Sequence, residues 1–191
     1  AGDATTTGAA NTAIGKSALT DNTTGANNVA VGENALANNT TASQNTAVGQ
    51  NALLTSTTAT NNVAVGPDSL RLATTGGDNT AGGLAAGRSV TTGLQNTIIG
   101  AEAGDALTDA DYNVALGYNS LSSDTLGSRS TALGYSALQN QNFTTATDSY
   151  NTAVGFHAGY VLTTATDCTL IGGNAGAAIT TGGRNTAVGA Y

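Results

Sequence analysis

The sequence has few of the residues from which a large hydrophobic core is built. Aromatic residues make up 4% of its 191 residues, and Met and Trp are absent. A thick core of large side chains is therefore excluded, and the interior must be thin and rich in Ala and Val. The chain also lacks a secretory signal and any apolar run long enough to cross a membrane. We therefore expect no membrane insertion.

Basic residues and cysteine are equally scarce. Five Lys and Arg stand against twelve Asp and Glu, giving a net charge of -7, and the basic residues are scattered along the chain. We therefore expect no nucleic-acid-binding surface. The single cysteine, Cys168, cannot form an intrachain disulfide. Because the chain opens at Ala1 and lacks Met, we expect a processed product or a piece of a longer protein.

One short motif organises the whole sequence. Asn11-Thr12-Ala13-Ile14-Gly15 returns as near-copies every 17 residues (28 − 11 = 17), apart from one interval of 21 (151 − 130 = 21). A fixed period of this size indicates a solenoid. We number each coil from the first residue of its motif, position 1. The residues at position 1 are Asn11, Asn28, Asn45, Asn62, Asn79, Asn96, Asn113, Ser130, Asn151, Cys168 and Asn185.

The pattern predicts an all-β fold, a parallel β-solenoid that forms a single domain over residues 1–191, with about eleven 17-residue coils and no α-helix longer than a turn. Each Thr/Val-Ala-Val stretch is typical of a strand, and the Gly at position 5 suits a tight corner. A four-residue insertion near residues 139–150 predicts a bulged loop. Stacking would place the position-1 Asn side chains in a structural ladder that satisfies turn backbone.

Two positions exchange the role of filling the core. Most coils with Leu at position 9, such as Leu36, carry a polar residue at position 12, whereas complete coils with Gly at position 9, such as Gly104, carry an aliphatic residue there. Leu70 is paired with the small Ala73, and the partial first coil, with Gly2 and Thr5, does not fit. Close packing requires such a conserved volume. We therefore expect positions 4 and 8, together with position 9 or 12, to face inward. Val48, at position 4, is expected to be buried.

The motif Asn-Thr-Ala-Val-Gly-x-x-Ala-Leu, as in residues 45–53, resembles the repeats of trimeric autotransporter adhesin heads and, more closely, those of phage tail fibres. The similarity covers all the coils. The resemblance implies a left-handed β-roll, a homotrimer, and a structural fibre or adhesin segment on a virion or cell surface. Association also suits a thin coil, which buries few large side chains against its backbone entropy. No ligand-contacting residue carries over, because only the structural motif matches.

Aromatic residues are concentrated in the later coils. Tyr118, Tyr135 and Phe156 share position 6 in three successive coils, and Tyr112 and Tyr150 directly precede position 1. We expect the rings to stack outward as one stripe. Aromatic faces suit sugar rings, so the stripe is a candidate surface for a host-surface glycan. Packing between protomers is the alternative.

Other candidate sites receive less support from the sequence. Asp105, Asp109 and Asp111 form a carboxylate cluster suited to Ca²⁺, but a polar loop is the favoured interpretation. The repeat separates His157, at position 7, from Cys168, at position 1 of the next coil, which argues against a nucleophilic pair. We therefore expect no enzymatic activity, catalytic residue, metal or cofactor.

Two alternative functions remain open. A Thr column at position 13, which includes Thr23 and Thr40, suggests an ice-binding solenoid, because regularly spaced surface Thr residues order water. The second alternative is a self-assembling extracellular filament. Tyr191 occupies position 7 and Ala1 occupies position 8, so copies joined head to tail would continue the coil sequence.

Overall fold

The computed structural model describes residues 1–190, which form a parallel β-solenoid. No residue in this range is helical, and coils recur about 17 residues apart, so the predicted all-β parallel β-solenoid is confirmed. Eleven strands pair in chain order: β1 (Thr12–Ile14), β2 (Val29–Val31), β3 (Thr46–Val48), β4 (Val63–Val65), β5 (Thr80–Gly82), β6 (Thr97–Ile99), β7 (Val114–Leu116), β9 (Thr131–Leu133), β11 (Thr152–Val154), β12 (Thr169–Ile171) and β13 (Thr186–Val188). Two further strands, β8 (Gly127–Ser128) and β10 (Thr147–Asp148), form a small parallel sheet.

The strand register is the same from one coil to the next. Ala30 pairs with Ala47, 17 residues on, and even across the insertion Ala132 pairs with Ala153. This constant register places equivalent side chains in columns. Eleven strands make ten steps, so at about 4.8 Å a step the sheet is about 48 Å long.

The strand side chain that enters the core is at position 3, not at position 4. Ala47 is fully buried, whereas Thr46 and Val48 on either side of it are half-buried. The expectation that position 4 faces inward was therefore wrong. Alternate strand residues point to opposite faces, and only one set can enter the core. The interior already holds the buried position-9 residue, Leu53, which leaves room beside the strand for a methyl group.

The exchange of core side chains extends to position 3. Ile98 and Leu170 replace the usual Ala there, and both are fully buried. The position-9 residues near them are glycines. A Cβ atom on Gly87 would lie 2.9 Å from Ile98 Cδ1, and one on Gly176 would lie 2.8 Å from Leu170 Cδ2. One core volume is thus filled from position 3, 9 or 12, as close packing requires.

Polar side chains occupy position 12 in the first coils, inside the solenoid. Asn22, Asn39 and Ser56 are fully buried in three successive coils. Asn39 Nδ2 donates to Asn22 Oδ1 at 2.8 Å and to Ala42 O at 3.1 Å. The amide column ends at Ser56, where Asn39 Oδ1 and Ser56 Oγ are both buried without a hydrogen-bond partner.

We expect Ser56→Asn to stabilise the protein by about 1 kcal/mol, the net value of a typical hydrogen bond. The new amide would donate to Asn39 Oδ1 and to the carbonyl of Ala59, as Asn39 does one coil below. It should fit, because Leu53 and Ala59 repeat the Leu36 and Ala42 that surround Asn39. Denaturant unfolding measures the effect. Ser56→Ala, the control, removes one unpaired hydroxyl and should change stability less; a destabilised Ser56→Asn variant would contradict the prediction.

The inserted loop is held by a buried carboxylate. Asp124 accepts hydrogen bonds from the backbone N–H groups of Gly127 (3.0 Å) and Phe143 (2.9 Å) and from Gln141 Nε2 (2.6 Å). Asn142 still pairs with the next coil through Thr163 O, so the extra residues enter after it. These bonds anchor the start of the loop, which then leads into β10.

Candidate functional site

The position-1 asparagines are structural. Asn11 and Asn185, at the two ends, are half-buried, and the remaining members of the column are buried: Asn28, Asn45, Asn62, Asn79, Asn96, Asn113 and Asn151. In a typical step, Asn45 N–H donates to Asn28 Oδ1 at 3.0 Å, and Asn45 Nδ2 donates to Ala59 O at 2.8 Å. The amides thus bond mainly to backbone groups, each of which would cost about 1–3 kcal/mol if buried without a partner.

Tyr118, Tyr135 and Phe156 form an exposed stack of three rings, here called the aromatic stack. The ring centroids of Tyr118 and Tyr135 are 5.4 Å apart, and those of Tyr135 and Phe156 are 5.2 Å apart, with interplanar angles of 22° and 14°. The three residues are 44%, 47% and 54% exposed. The stack arises because all three residues follow the position-5 corner in coils of identical register.

Two residues that the sequence did not assign to the stack extend it. The ring of His157 lies 3.9 Å from that of Phe156 and 4.7 Å from that of Tyr160, measured between centroids. The turn that joins Tyr160 N–H to His157 O at 3.1 Å brings the last two together. The only sequence signal was their spacing of three residues across a turn, because no other coil has an aromatic residue at position 10.

Tyr112 and Tyr150 do not join the aromatic stack, so the expected single stripe is two separate columns. They lie at position 17 on either side of Arg129, whose guanidinium carbon is 4.7 Å from the Tyr112 ring centroid and 5.9 Å from that of Tyr150. Asp148, at the end of the inserted loop, pairs with Arg129 at 2.9 Å. The hydrogen bond that Arg129 donates to Asp148 and the negative charge of Asp148 raise the pKa of the Arg129 guanidinium.

The two columns flank the same three strands, β7, β9 and β11. Position 17 precedes each strand, separated from it only by position 1, and position 6 follows the strand after the corner glycine. A carboxylate also lies beside the aromatic stack: the negative charge of Glu102 raises the pKa of the Tyr118 phenol, and a hydrogen bond between the two adds to the effect. The region therefore combines partly exposed aromatic rings with a hydrogen-bond acceptor.

The three clustered aspartates serve separate contacts. Asp109 accepts a hydrogen bond from the Thr92 hydroxyl, Asp111 accepts one from Leu94 N–H at 2.7 Å, and Asp105 lies 3.9 Å from Arg88. Burial raises the pKa of Asp105. Over residues 1–190, the structure contains no group of three or more His, Cys, Asp or Glu side chains arranged to hold a metal ion.

The Thr column at position 13 bonds to its own scaffold. Thr23 Oγ1 donates to Thr40 O at 3.0 Å, and Thr40 Oγ1 donates to Thr57 O at 3.1 Å, with the side chains half-buried. These hydroxyls link successive coils, and their donor protons are engaged within the protein. Cys168 is also internal, buried in the position-1 column with its N–H on Asn151 Oδ1 at 2.9 Å.

Comparison with known proteins adds no assignment. No family model matches the chain, and neither the curated proteins nor the solved structures contain a significant match to it.

In the part of the chain that the structure describes, no helix is long and apolar enough to span a membrane. A recess of about 830 Å³ between residues 174–179 and residues 186–190 is lined by Ala, Gly and a few aliphatic or neutral polar residues, with no titratable side chain.

Proposed function

We propose that this chain is a structural, non-enzymatic segment of a fibre or adhesin, exposed on a phage or cell surface and contributing to attachment. The aromatic stack carries the proposal. Three nearly parallel rings in adjacent coils stack on one another beside a rigid sheet, and about half of each side chain remains exposed to solvent. Aromatic residues make up only 4% of the sequence, so their concentration in one exposed stack points to recognition.

The ligand proposed for this surface is a host-surface glycan. The apolar faces of sugar rings pack on aromatic rings, and sugar hydroxyls donate to carboxylates such as Glu102. A neutral glycan fits best, because the chain has a net charge of -7 and Arg129, the nearby cation, is already paired with Asp148. An acidic sugar would meet the negative field of the protein.

Replacing Tyr118, Tyr135 and Phe156 together with Ser is expected to weaken binding to the host surface or to neutral glycan at least about tenfold, which corresponds to about 1.4 kcal/mol. The side chains are exposed and off the core, so circular dichroism should still show the β-solenoid. Glycan-array or whole-cell binding measures the effect.

The matched control removes three other exposed apolar side chains. Leu72, Leu84 and Leu94 are 39%, 51% and 41% exposed and lie outside the aromatic stack. Changing all three to Ser should leave binding intact. Equal binding by wild type and the aromatic variant would remove the stack from the proposal.

The finer features of this function follow from the repeat resemblance. We propose a left-handed coil and a homotrimeric assembly, placed outside the cell or on a virion. A head-to-tail extracellular filament is the alternative assembly; Tyr191, on one side of its joint, lies outside the described residues. Negative-stain microscopy separates the two assemblies, because filaments that lengthen with protein concentration favour the head-to-tail filament over the homotrimer. Thermal-hysteresis measurement tests the ice-binding alternative.

A further inference from the structure

We propose that the outer face of the eleven-stranded sheet is the surface on which copies of this chain pack side by side. The outward residues of each strand, at positions 2 and 4, are Thr, Val, Ile, Leu and one Gly, and none of them is charged. The inference rests on the self-association in the proposed function and assigns a surface to it. It is independent of glycan binding by the aromatic stack.

The aliphatic residues at position 4 form one column along the whole sheet. Val65, Leu116 and Ile171 are 46%, 43% and 40% exposed. Gly82 would interrupt the column, but a Cβ atom there would lie 3.2 Å from Ile99 Cδ1, so Ile99 covers the gap. Soluble monomers rarely expose contiguous apolar patches larger than a few hundred Å².

The area of this face fits a stable contact between proteins. It is about 48 Å long, and three strand residues with their side chains make it roughly 10–15 Å wide. The resulting area, roughly 500–700 Å² for each copy, approaches the value of about 800 Å² per partner in stable interfaces before any flanking residue is counted.

The pattern of the face favours a second copy as the occupant. Strands at one constant spacing match the same face of another copy row for row, which a partner with an irregular surface cannot do. Charged residues such as Lys16, Glu33 and Asp78 border the face at positions 6 and 17, in keeping with the apolar centre and polar rim of protein interfaces. Thr and Val follow one another irregularly at position 2, so the face lacks the unbroken row of hydroxyls that would favour an ice surface.

The test places charge on the face without touching the core. Val65→Lys, Ile99→Lys and Leu133→Lys alter alternate strands, and all three side chains point to solvent. Analytical ultracentrifugation of the wild type should give a multiple of 18.5 kDa. The triple variant should sediment as a monomer at concentrations at least about 100-fold higher, because like charges brought together cost several kcal/mol.

The control adds the same charge elsewhere. Thr24, Thr58 and Thr75 are exposed at position 14, away from the sheet, and changing all three to Lys should leave the assembly intact. Circular dichroism checks that each variant keeps its β-structure. A wild type that stays monomeric at hundreds of micromolar, or a folded sheet variant that assembles normally, overturns the proposal. A wild type that is monomeric and shows thermal hysteresis, which the sheet variant loses, also overturns the proposal.

Cross-linking gives a second measurement that does not depend on disrupting the face. Thr97 lies in β6, the sixth of the eleven strands, and therefore meets its counterpart in any full-length side-by-side contact. In a Cys168→Ser background, Thr97→Cys should be linked between copies by a short bis-maleimide, whereas Thr75→Cys should not. The reverse result would place the contact on another face. If glycan binding were lost only in the variant that lacks the aromatic stack, while the sheet variants behaved like the wild type, the proposed attachment would stand and this interface would not.

Discussion

Replacing Ala47 by Asp is expected to unfold the coils around β3, whereas replacing its neighbour Val48 by Asp is expected to leave the solenoid folded. Ala47 is fully buried between Ala30 and Ala64, which are also fully buried. A carboxylate at this site would have no cation to pair with, and an uncompensated buried charge costs about 3–5 kcal/mol. That is a large share of the roughly 5–15 kcal/mol by which a typical domain is stable.

Circular dichroism and denaturant unfolding of the two variants provide the test. They differ by one position and introduce the same charge, so each controls for the other. Val48→Asp would reduce assembly if the sheet face is an interface, but its own fold should persist because Val48 is half-buried on the outer face. A stable Ala47→Asp variant together with an unfolded Val48→Asp variant would mean that the strand faces are reversed.

The second large effect is expected at the position-5 corner. Gly49 has a φ of 137°, which side-chain-bearing residues rarely adopt, and a Cβ atom there would lie 2.5 Å from Gly66 O and 2.6 Å from Gly66 C. Gly49→Ala is therefore expected to destabilise the protein through backbone strain of about 1–3 kcal/mol and a similar cost of overpacking. The contact is with the backbone of the next coil, which cannot move aside without breaking the stack.

Gly173 supplies the matched control for this substitution. It lies one position after a corner glycine, no atom lies within 4 Å of the Cβ position, and its φ is not in the left-handed region. Gly173→Ala should be neutral or stabilise the protein by up to about 1 kcal/mol, by restricting the unfolded chain. Thermal unfolding compares the two. Equal loss of stability in both variants would show that the corner is not the cause.

The candidate site could be predicted only in part. Columns follow from the period, so the repeat alone assigns Tyr118, Tyr135 and Phe156 to one position. The contact of His157 with Tyr160 could not be predicted in this way, because it depends on a turn in one coil and recurs in no other. The position of Arg129 between Tyr112 and Tyr150 does follow from the period (129 − 112 = 17), but its contacts with the two rings are seen only in the structure.

The sequence by itself determined the period, the strand positions, the glycine corners and the residues that share each column, because a repeat of constant length fixes the register. The tertiary structure alone decided which side of each strand is the core. Positions 3 and 4 both carry apolar residues, and strand alternation allows either set inside. The volume left beside Leu at position 9 admits only a methyl group from the strand, so Ala47 faces the core and the larger Val48 remains on the outer face.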